Sequence, residues 1–506
     1  MPDAPRVSGF FLGFIIMLTI NPDTVVSTEL ECLTCVLKTT PDCASPVGEL
    51  FRVMKEFAPT LPGPSGNHNA YGRVYVDSGH VELGMCECRS PYMLPLIIER
   101  QQNVIAQALS KMAEGGVRLL LANNNHSGLL QQGCPVWGSH ENYLTDAHPK
   151  KWGDLILPFL VSRIYGGAGG IEFPSGTFLA AVRPICMELT TGGSTTYNRS
   201  IHSTSREEHH MGRAPRRYRY HLILGDGHRS HFNIMLQFAA TALAIKAVIF
   251  DRKLKQELAQ LDYAQNCDWV GLLKEFNVLQ TPKGELQIHP RVTQTQRVYL
   301  NAAHRYVNAL SSVPAWMHEA LQDWDDTLTA MERLDRDWLA PRLDAFAKYE
   351  YYSAVLRDAK SSWSRLPRKT SLFNELALLD HSYHDFSDPE SVFTLMESDG
   401  LLDHRVGPLV APGDEPEPFV PQTGTRATPR ARFIKEHAGQ DRYLVDWSSI
   451  ADRQERRTMR SGDPFAEQFD EWSAPRPKPE AGDPALPTFA ELQETLRRAR
   501  RRTGSS

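Results

Sequence analysis

Asn69 to Cys88 reads N-A-Y-G-R-V-Y-V-D-S-G-H-V-E-L-G-M-C-E-C. Asp77 ends a strand-like run, and His80, Glu82 and Glu87 follow with no lysine between them. Carboxylates gathered at a strand end suit a divalent cation or an in-line phosphoryl transfer, because hard cations take oxygen ligands. A solvated strand end with ordinary surface charges has the same composition. A second group is G-S-H-E-N-Y-L, Gly138 to Leu144. On a strand, side chains alternate between faces, so either Glu141 or the flanking His140 and Asn142 face a site, and spacing leaves the choice open. The third group, R-S-I-H-S-T-S-R-E-E-H-H from Arg199 to His210, is closed by R-Y-H-L-I-L-G-D from Arg219 to Asp226. Arginines around a strand, Arg206 and Arg219 among them, fit bidentate capture of phosphate or carboxylate oxygens, with surface ion pairing as the plain alternative.

Such groups need elements to hold them. From Val7 to about Arg252 strand-like and helical runs alternate, the mixed α+β signature. The clearest strands are Arg73 to Val76, Val117 to Leu121 and His221 to Leu224; the clearest helices are Pro95 to Met112 and Phe232 to Ile249. After about Lys253 long amphipathic helices take over, at Thr293 to Leu310, Trp316 to Leu339 and Leu343 to Lys360. These patterns predict a main domain over 1–410, strand-rich to about 252 and then helical. A small C-terminal domain over 411–472 and a Pro-rich linker with a basic tail over 473–506 follow.

With 506 residues, 41% of them hydrophobic, the chain can bury a large core. A formal charge of -5 gives no general field for nucleic acid or for an anionic membrane. Eight cysteines are too sparse for a disulfide scaffold, which fits a reducing cytoplasm. The uncharged run Val7 to Ile20 is too short to span a bilayer and reads as a buried strand or strand pair, with a signal-peptide core as the alternative. Cys32, Cys35 and Cys43 form one C-x-x-C knuckle plus a later cysteine, where structural zinc needs four ligands; buried thiols are the default.

The strings V-Y-V-D, H-x-E, G-x-H-E-N-Y-L, P-F-L-V-x-R followed by G-A-G, and S-R-E-E-x-H before H-L-I-L-G-D resemble the ordered motifs of the Pup ligase and depupylase family. L-D-H-S-Y-H-D (Leu379 to Asp385), T-R-A-x-P-R (Thr425 to Arg430), V-D-W and D-P-F continue them in the same order. The resemblance implies a glutamine-synthetase-like, carboxylate-amine ligase fold. In it a curved antiparallel sheet packed with helices cradles ATP and Mg2+, and a small C-terminal domain packs on it. It implies a Pup-like peptide or a pupylated protein as partner. By the same resemblance Asp77 is the catalytic aspartate, Glu82 and Glu141 are metal-binding carboxylates, and Arg206 and Arg219 neutralise phosphate, with His221 lining the nucleotide cradle.

Family members begin their first strand with G-I-E-T-E, whose glutamates reach magnesium, and the stretch matched to it, Gly9 to Phe14, contains no glutamate. The spacing D-S-G-H-V-E resembles the depupylase pattern. Together these lead to the expectation of a diverged, depupylase-like hydrolase. It would cleave an isopeptide, an amide or, in a phosphatase-like manner, a phosphate ester, with Asp77 and the arginines as its machinery. A non-catalytic binding protein and an ATP-dependent ligase are the alternatives.

Overall fold

A computed structural model describes residues 21–473 except 124, 132, 196, 205–216, 262, 264–266, 369 and 407–416. The run Val7 to Ile20, the stretch Gly9 to Phe14, Arg206 and the tail beyond 473 lie outside the described residues.

The chain opens with strands β1 (Val26–Glu31) and β2 (Leu33–Lys38). Helix α1 (Pro46–Val53) follows, begun by Ser45, whose hydroxyl accepts from the Gly48 N–H, and by a proline in its first turn. A meander of β3 (Thr60–Gly63), β4 (Gly66–Asn69), β5 (Gly72–Asp77) and β6 (His80–Met85) comes next. Between β5 and β6 only Ser78 and Gly79 turn the chain, at φ of 48° and 96°, the two left-handed positions of a tight hairpin turn. Helix α2 (Leu94–Glu114) leads to β7 (Arg118–Ala122), β8 (Ser139–Thr145) and α3 (Gly153–Ser162). The short strands β9 (Gly170–Ile171), β10 (Phe178–Leu179), β11 (Leu189–Thr191) and β12 (Ser200–Ser203) precede β13 (Tyr218–Gly225) and helix α4 (His231–Phe250).

Helices then dominate: α5 (Leu254–Leu258) and α6 (Trp269–Phe276), β14 (Val278–Gln280), then α7 (Pro290–Asn308) and α8 (Ala315–Arg333). The single helix expected from Trp316 to Leu339 is broken. Leu334 is left-handed at φ 50°, and Asp335 caps a new short helix α9 (Arg336–Leu339) by accepting from the Trp338 N–H. After α10 (Asp344–Asp358), α11 (Thr370–His384) and α12 (Val392–Ser398), the chain ends its described part with α13 (Ala427–His437) and the three-stranded sheet β15 (Tyr443–Asp446), β16 (Ser449–Asp452) and β17 (Arg457–Arg460).

Nine strands form one sheet in the order β11-β12-β13-β8-β1-β6-β5-β4-β3. Its pairs are antiparallel apart from β11 with β12. Helices α2 and α4 cover one face and close the main apolar core. Among the described residues α4 is the one helix long and apolar enough to cross a membrane, yet 94% of its apolar window is buried inside the protein. It is a core helix. The other face carries the polar side chains. Val26, Thr28 and Leu30 of β1 are buried while Ser27, Glu29 and Glu31 alternate with them, the period of 2 that separates the two faces of a strand.

The C-terminal unit has its own small core of Ile434, Tyr443, Val445 and Ile450, which packs on Leu61 of β3. Glu87, just after β6, binds it to the sheet: Arg426 Nε donates to one carboxylate oxygen at 2.9 Å and Arg430 Nη2 to the other at 2.6 Å. The i,i+4 spacing of these two arginines puts both on one face of α13's first turns. Burial opposes ionisation of Glu87, but the two guanidinium groups outweigh it and bring the carboxyl down to about 2.

Candidate active site

Strand register decides what meets on the open face. Glu31 pairs directly with Glu82 across β1 and β6, and Glu29 with Gly84. On the other side of β1, Glu29 pairs with His140 and Ser27 with Asn142. Asn142 in turn pairs with His221 of β13, and Tyr75 and Asp77 of β5 pair with Glu82 and His80 of β6. Five neighbouring strands therefore point Glu29, Glu31, Glu82, Asp77, His80, His140, Asn142 and His221 to one side.

This side opens into a cleft of about 530 Å³ lined by Glu29, Glu31, Tyr75, Asp77, Glu82 and Arg199. A smaller, largely apolar lobe of about 90 Å³ adjoins it at Glu29 and Trp447, between Val26, Met85 and Leu144. Trp447 of the C-terminal unit comes this close because Gly84 has no side chain, and a Cβ there would stand 2.9 Å from the indole ring.

The charges form a network. Arg219 Nη2 donates to Glu29 Oε1 at 2.8 Å and its Nε to Asn142 Oδ1 at 2.7 Å, while His221 Nδ1 lies 3.0 Å from that same oxygen. His140 stands between two acids, 3.5 Å from Glu29 and 3.5 Å from Glu31. Burial favours the neutral form of Glu29, but Arg219, His140 and His221 outweigh it and hold the carboxyl well below the usual range. Glu31 is lowered likewise, with His140 and Arg183 outweighing burial. Glu82 differs. Burial, and next the negative charge of Glu29, push it up to about 7 despite His140 and a 2.6 Å hydrogen bond from the Tyr75 hydroxyl. Three carboxylates facing one space, one of them raised to about 7 by burial and by its neighbour's charge, make a donor set that fits a hard divalent cation. Among the described residues, Glu29, His140 and His221 are also the one trio of ligating atoms lying within 4.8 Å of one another.

Arg183 supports the cluster from below. It is fully buried, donates from Nε to the Ile223 carbonyl at 3.0 Å, and reaches Glu31 at 3.3 Å and His140 at 3.4 Å. Its own backbone N–H, with those of Ala168 and Val182, is held by the Asp226 carboxylate. The G-A-G and L-G-D strings thus meet in one loop anchor.

Two expectations need correction. Glu141 does not face the cleft: it alternates away from His140 and Asn142 and lies fully buried beneath α4. Arg163 grips both its oxygens at 2.7 Å, with the Tyr143 hydroxyl at 2.5 Å and Gln237 at 2.8 Å, so its lone pairs are committed to an internal ion pair. The conjunction of H-E-N-Y-L and P-F-L-V-x-R is that pair. The second correction concerns the first-strand glutamates. The E-x-E pattern sought at Gly9 to Phe14 is present on β1 as Glu29 and Glu31. Their two-residue spacing beside buried Val26, Thr28 and Leu30 was the signal that could have found them.

Asp77 stands exposed at the cleft rim beside the Ser78-Gly79 turn. The shorter D-S-G-H-V-E spacing is accommodated in that turn and leaves Asp77 and Glu82 on the same face. Within the Arg199 to His210 string, His202 is buried against the Tyr220 hydroxyl at 2.7 Å, where burial lowers it to about 4, and His209 and His210 lie outside the described residues.

A twisted sheet whose polar face carries glutamates, arginines and histidines, backed by helices, is the glutamine-synthetase-like fold. Two solved structures share it: the complex between the prokaryotic ubiquitin-like protein Pup and its ligase PafA, and PafA with ADP. The first matches with a TM-score of 0.67 at 20% identity, covering 88% of this chain and 89% of that one. The second matches with a TM-score of 0.63 at 21% identity, covering 85% and 92%. The family model described as Pup-ligase protein matches residues 54–451, and the chain belongs to that family. It is 30% identical over 420 residues to the Pup–protein ligase of Acidimicrobium ferrooxidans, covering 78% of this chain and 86% of the relative. It is 28% identical over 417 residues to that of Kribbella flavida, covering 78% and 85%. These relatives overturn the expectation of a hydrolase or phosphatase, since the matched proteins are named as ligases. The non-catalytic alternative loses its motive as well, because it rested on missing glutamates that β1 supplies.

Proposed function

We propose that this protein is an ATP-dependent Pup ligase, joining the C-terminal glutamate of a Pup-like peptide to a lysine of a target protein. The observation that carries the reading is the convergence of Glu29, Glu31 and Glu82 on the sheet face that Arg219, His221 and Asp77 also share. The ligase names of the relatives support it and favour this branch over a depupylase-like one.

The chemistry has two steps. The peptide carboxylate takes the γ-phosphoryl group of ATP, giving an acyl phosphate and ADP. The lysine amine then attacks the acyl carbon, phosphate leaves with the C–O bond electrons, and the amine gives up its proton. Glu29, Glu31 and Glu82 would hold a magnesium ion, which would neutralise charge on the phosphate oxygens. Arg219, aligned by Asn142 and Glu29, offers its guanidinium to the same oxygens, with His221 beside it. We assign Arg206 the same task on the strength of its motif alone. Asp77, exposed at the rim, can accept the proton of the incoming amine. The apolar lobe beside Trp447 suits a flat nucleobase.

Eight free cysteines support a cytoplasmic setting. The proposed division at about residues 410 and 472 sets α13 and β15–β17 apart as the smaller unit.

The deciding experiment mixes purified protein with ATP, magnesium, a Pup bearing C-terminal glutamate and an acceptor protein. A conjugate one water lighter than its parts, with one ADP per bond formed, is expected. Cleavage of a preformed conjugate without ATP-dependent joining would refute the reading.

A further inference from the structure

A second cavity, of about 180 Å³, lies on the helical side and shares no lining residue with the cleft. It forms where α2 and the start of α4 meet α12 and the chain leading to Arg405. Its two carboxylates are already committed. Arg405 donates to Glu99 at 2.9 Å and to Glu397 at 2.8 Å, and His404 Nε2 lies 3.1 Å from Glu397.

Arg229 is the charge left over. Its side chain is half-buried; among the described residues no carboxylate lies within 4.0 Å of its guanidinium, the buried Nη1 has no hydrogen-bond partner, and the Phe393 ring sits 4.8 Å from the guanidinium carbon. Asp344, one of the acids whose charge reaches Arg229 together with Asp385 and Glu397, is occupied by the backbone N–H groups of Arg229 and Ser230, by His228 and by the Tyr383 hydroxyl. Two further polar atoms around the cavity are unpartnered: His231 Nδ1 and Gln102 Nε2, on side chains 5% and 8% exposed. Buried donors without acceptors are rare in folded proteins, and here three of them, Arg229 Nη1, Gln102 Nε2 and the His231 ring, surround one cavity. Arg229 and the Gln102 amide nitrogen can only donate, so what completes the cavity must accept hydrogen bonds and carry negative charge. The volume corresponds to about six waters, room enough for a small dianion.

We propose that this cavity binds a small oxyanion, a phosphate or a short dicarboxylate, with Arg229 as its counter-charge.

The test is calorimetric titration of the full-length protein with inorganic phosphate and, separately, with succinate. It uses wild type, Arg229→Met, Gln102→Leu and the cleft variant Arg219→Gln. At least one probe is expected to bind wild type and Arg219→Gln alike, and Arg229→Met roughly tenfold or more weakly. Gln102→Leu, which keeps the guanidinium, is expected to weaken binding too and stands in if Arg229→Met fails to fold. Equal binding by wild type, Arg229→Met and Gln102→Leu, loss of the site in Arg219→Gln alone, or no binding of either probe by wild type would overturn the proposal.

Discussion

Glu31 and Glu82 are direct cross-strand partners on β1 and β6, their carboxyl groups facing the same open side of the sheet. Neighbouring like charges at this spacing repel, and the sheet relieves the repulsion unequally. Glu31 has Arg183 and His140 beside it, whereas Glu82 has a tyrosine hydroxyl, and burial pushes its carboxyl up to about 7.

A proton should therefore leave Glu82 when magnesium binds. At pH 6.5 calorimetry in buffers of different ionisation enthalpy should register release approaching one proton per ion, and Glu82→Gln should register none. Equal proton release by both proteins would place the titrating group elsewhere.

The same shift sets a stability profile for the metal-free protein. The folded pKa of Glu82 lies above its unfolded value of 4.5, so the folded state binds more protons between pH 4.5 and 7. This contribution is complete below pH 4.5 and is lost as pH rises through 7. Glu82→Gln should accordingly gain stability relative to wild type at pH 8, by up to about 3 kcal/mol, and lose that advantage towards pH 5. Denaturant unfolding at both pH values checks it.

Asp77 is exposed, so its replacement separates chemistry from folding. Asp77→Asn is expected to reduce ligation by roughly 10²-fold or more while shifting unfolding stability by less than about 0.5 kcal/mol. A single-turnover ligation assay beside a melting curve decides it. Unchanged ligation would remove Asp77 from the site.

Glu141 predicts the reverse. Glu141→Gln leaves Arg163 buried without its counter-ion, which should cost about 3–5 kcal/mol of stability. Magnesium affinity of the folded fraction should stay within about twofold of wild type. A large loss of affinity with little loss of stability would return Glu141 to the metal site.

Glu87→Gln should loosen the C-terminal unit, since Arg426 and Arg430 both close on that carboxylate. Limited proteolysis is expected to cut between residues 407 and 473 at least several-fold faster than in wild type, with the main core still protected.

Motif order along the chain was enough to identify the family, and hydrophobic periodicity located β5, β13, α2 and α4 to within a few residues, because both are local properties of sequence. Periodicity also stated that Glu141 and its neighbours His140 and Asn142 must face opposite ways. Which way each faces was decided in three dimensions, by Arg163, Tyr143 and Gln237 closing around Glu141 under α4. The glutamates Glu29 and Glu31 were passed over for a related reason. An E-x-E in a strand marks only a shared face, and becomes a site when β1 is inserted between β6 and β8, so that Glu82 and His140, more than fifty residues away, arrive beside it. Alternation is written in neighbouring residues, whereas the pairing of distant strands and the burial of one face follow from the packing of the whole chain.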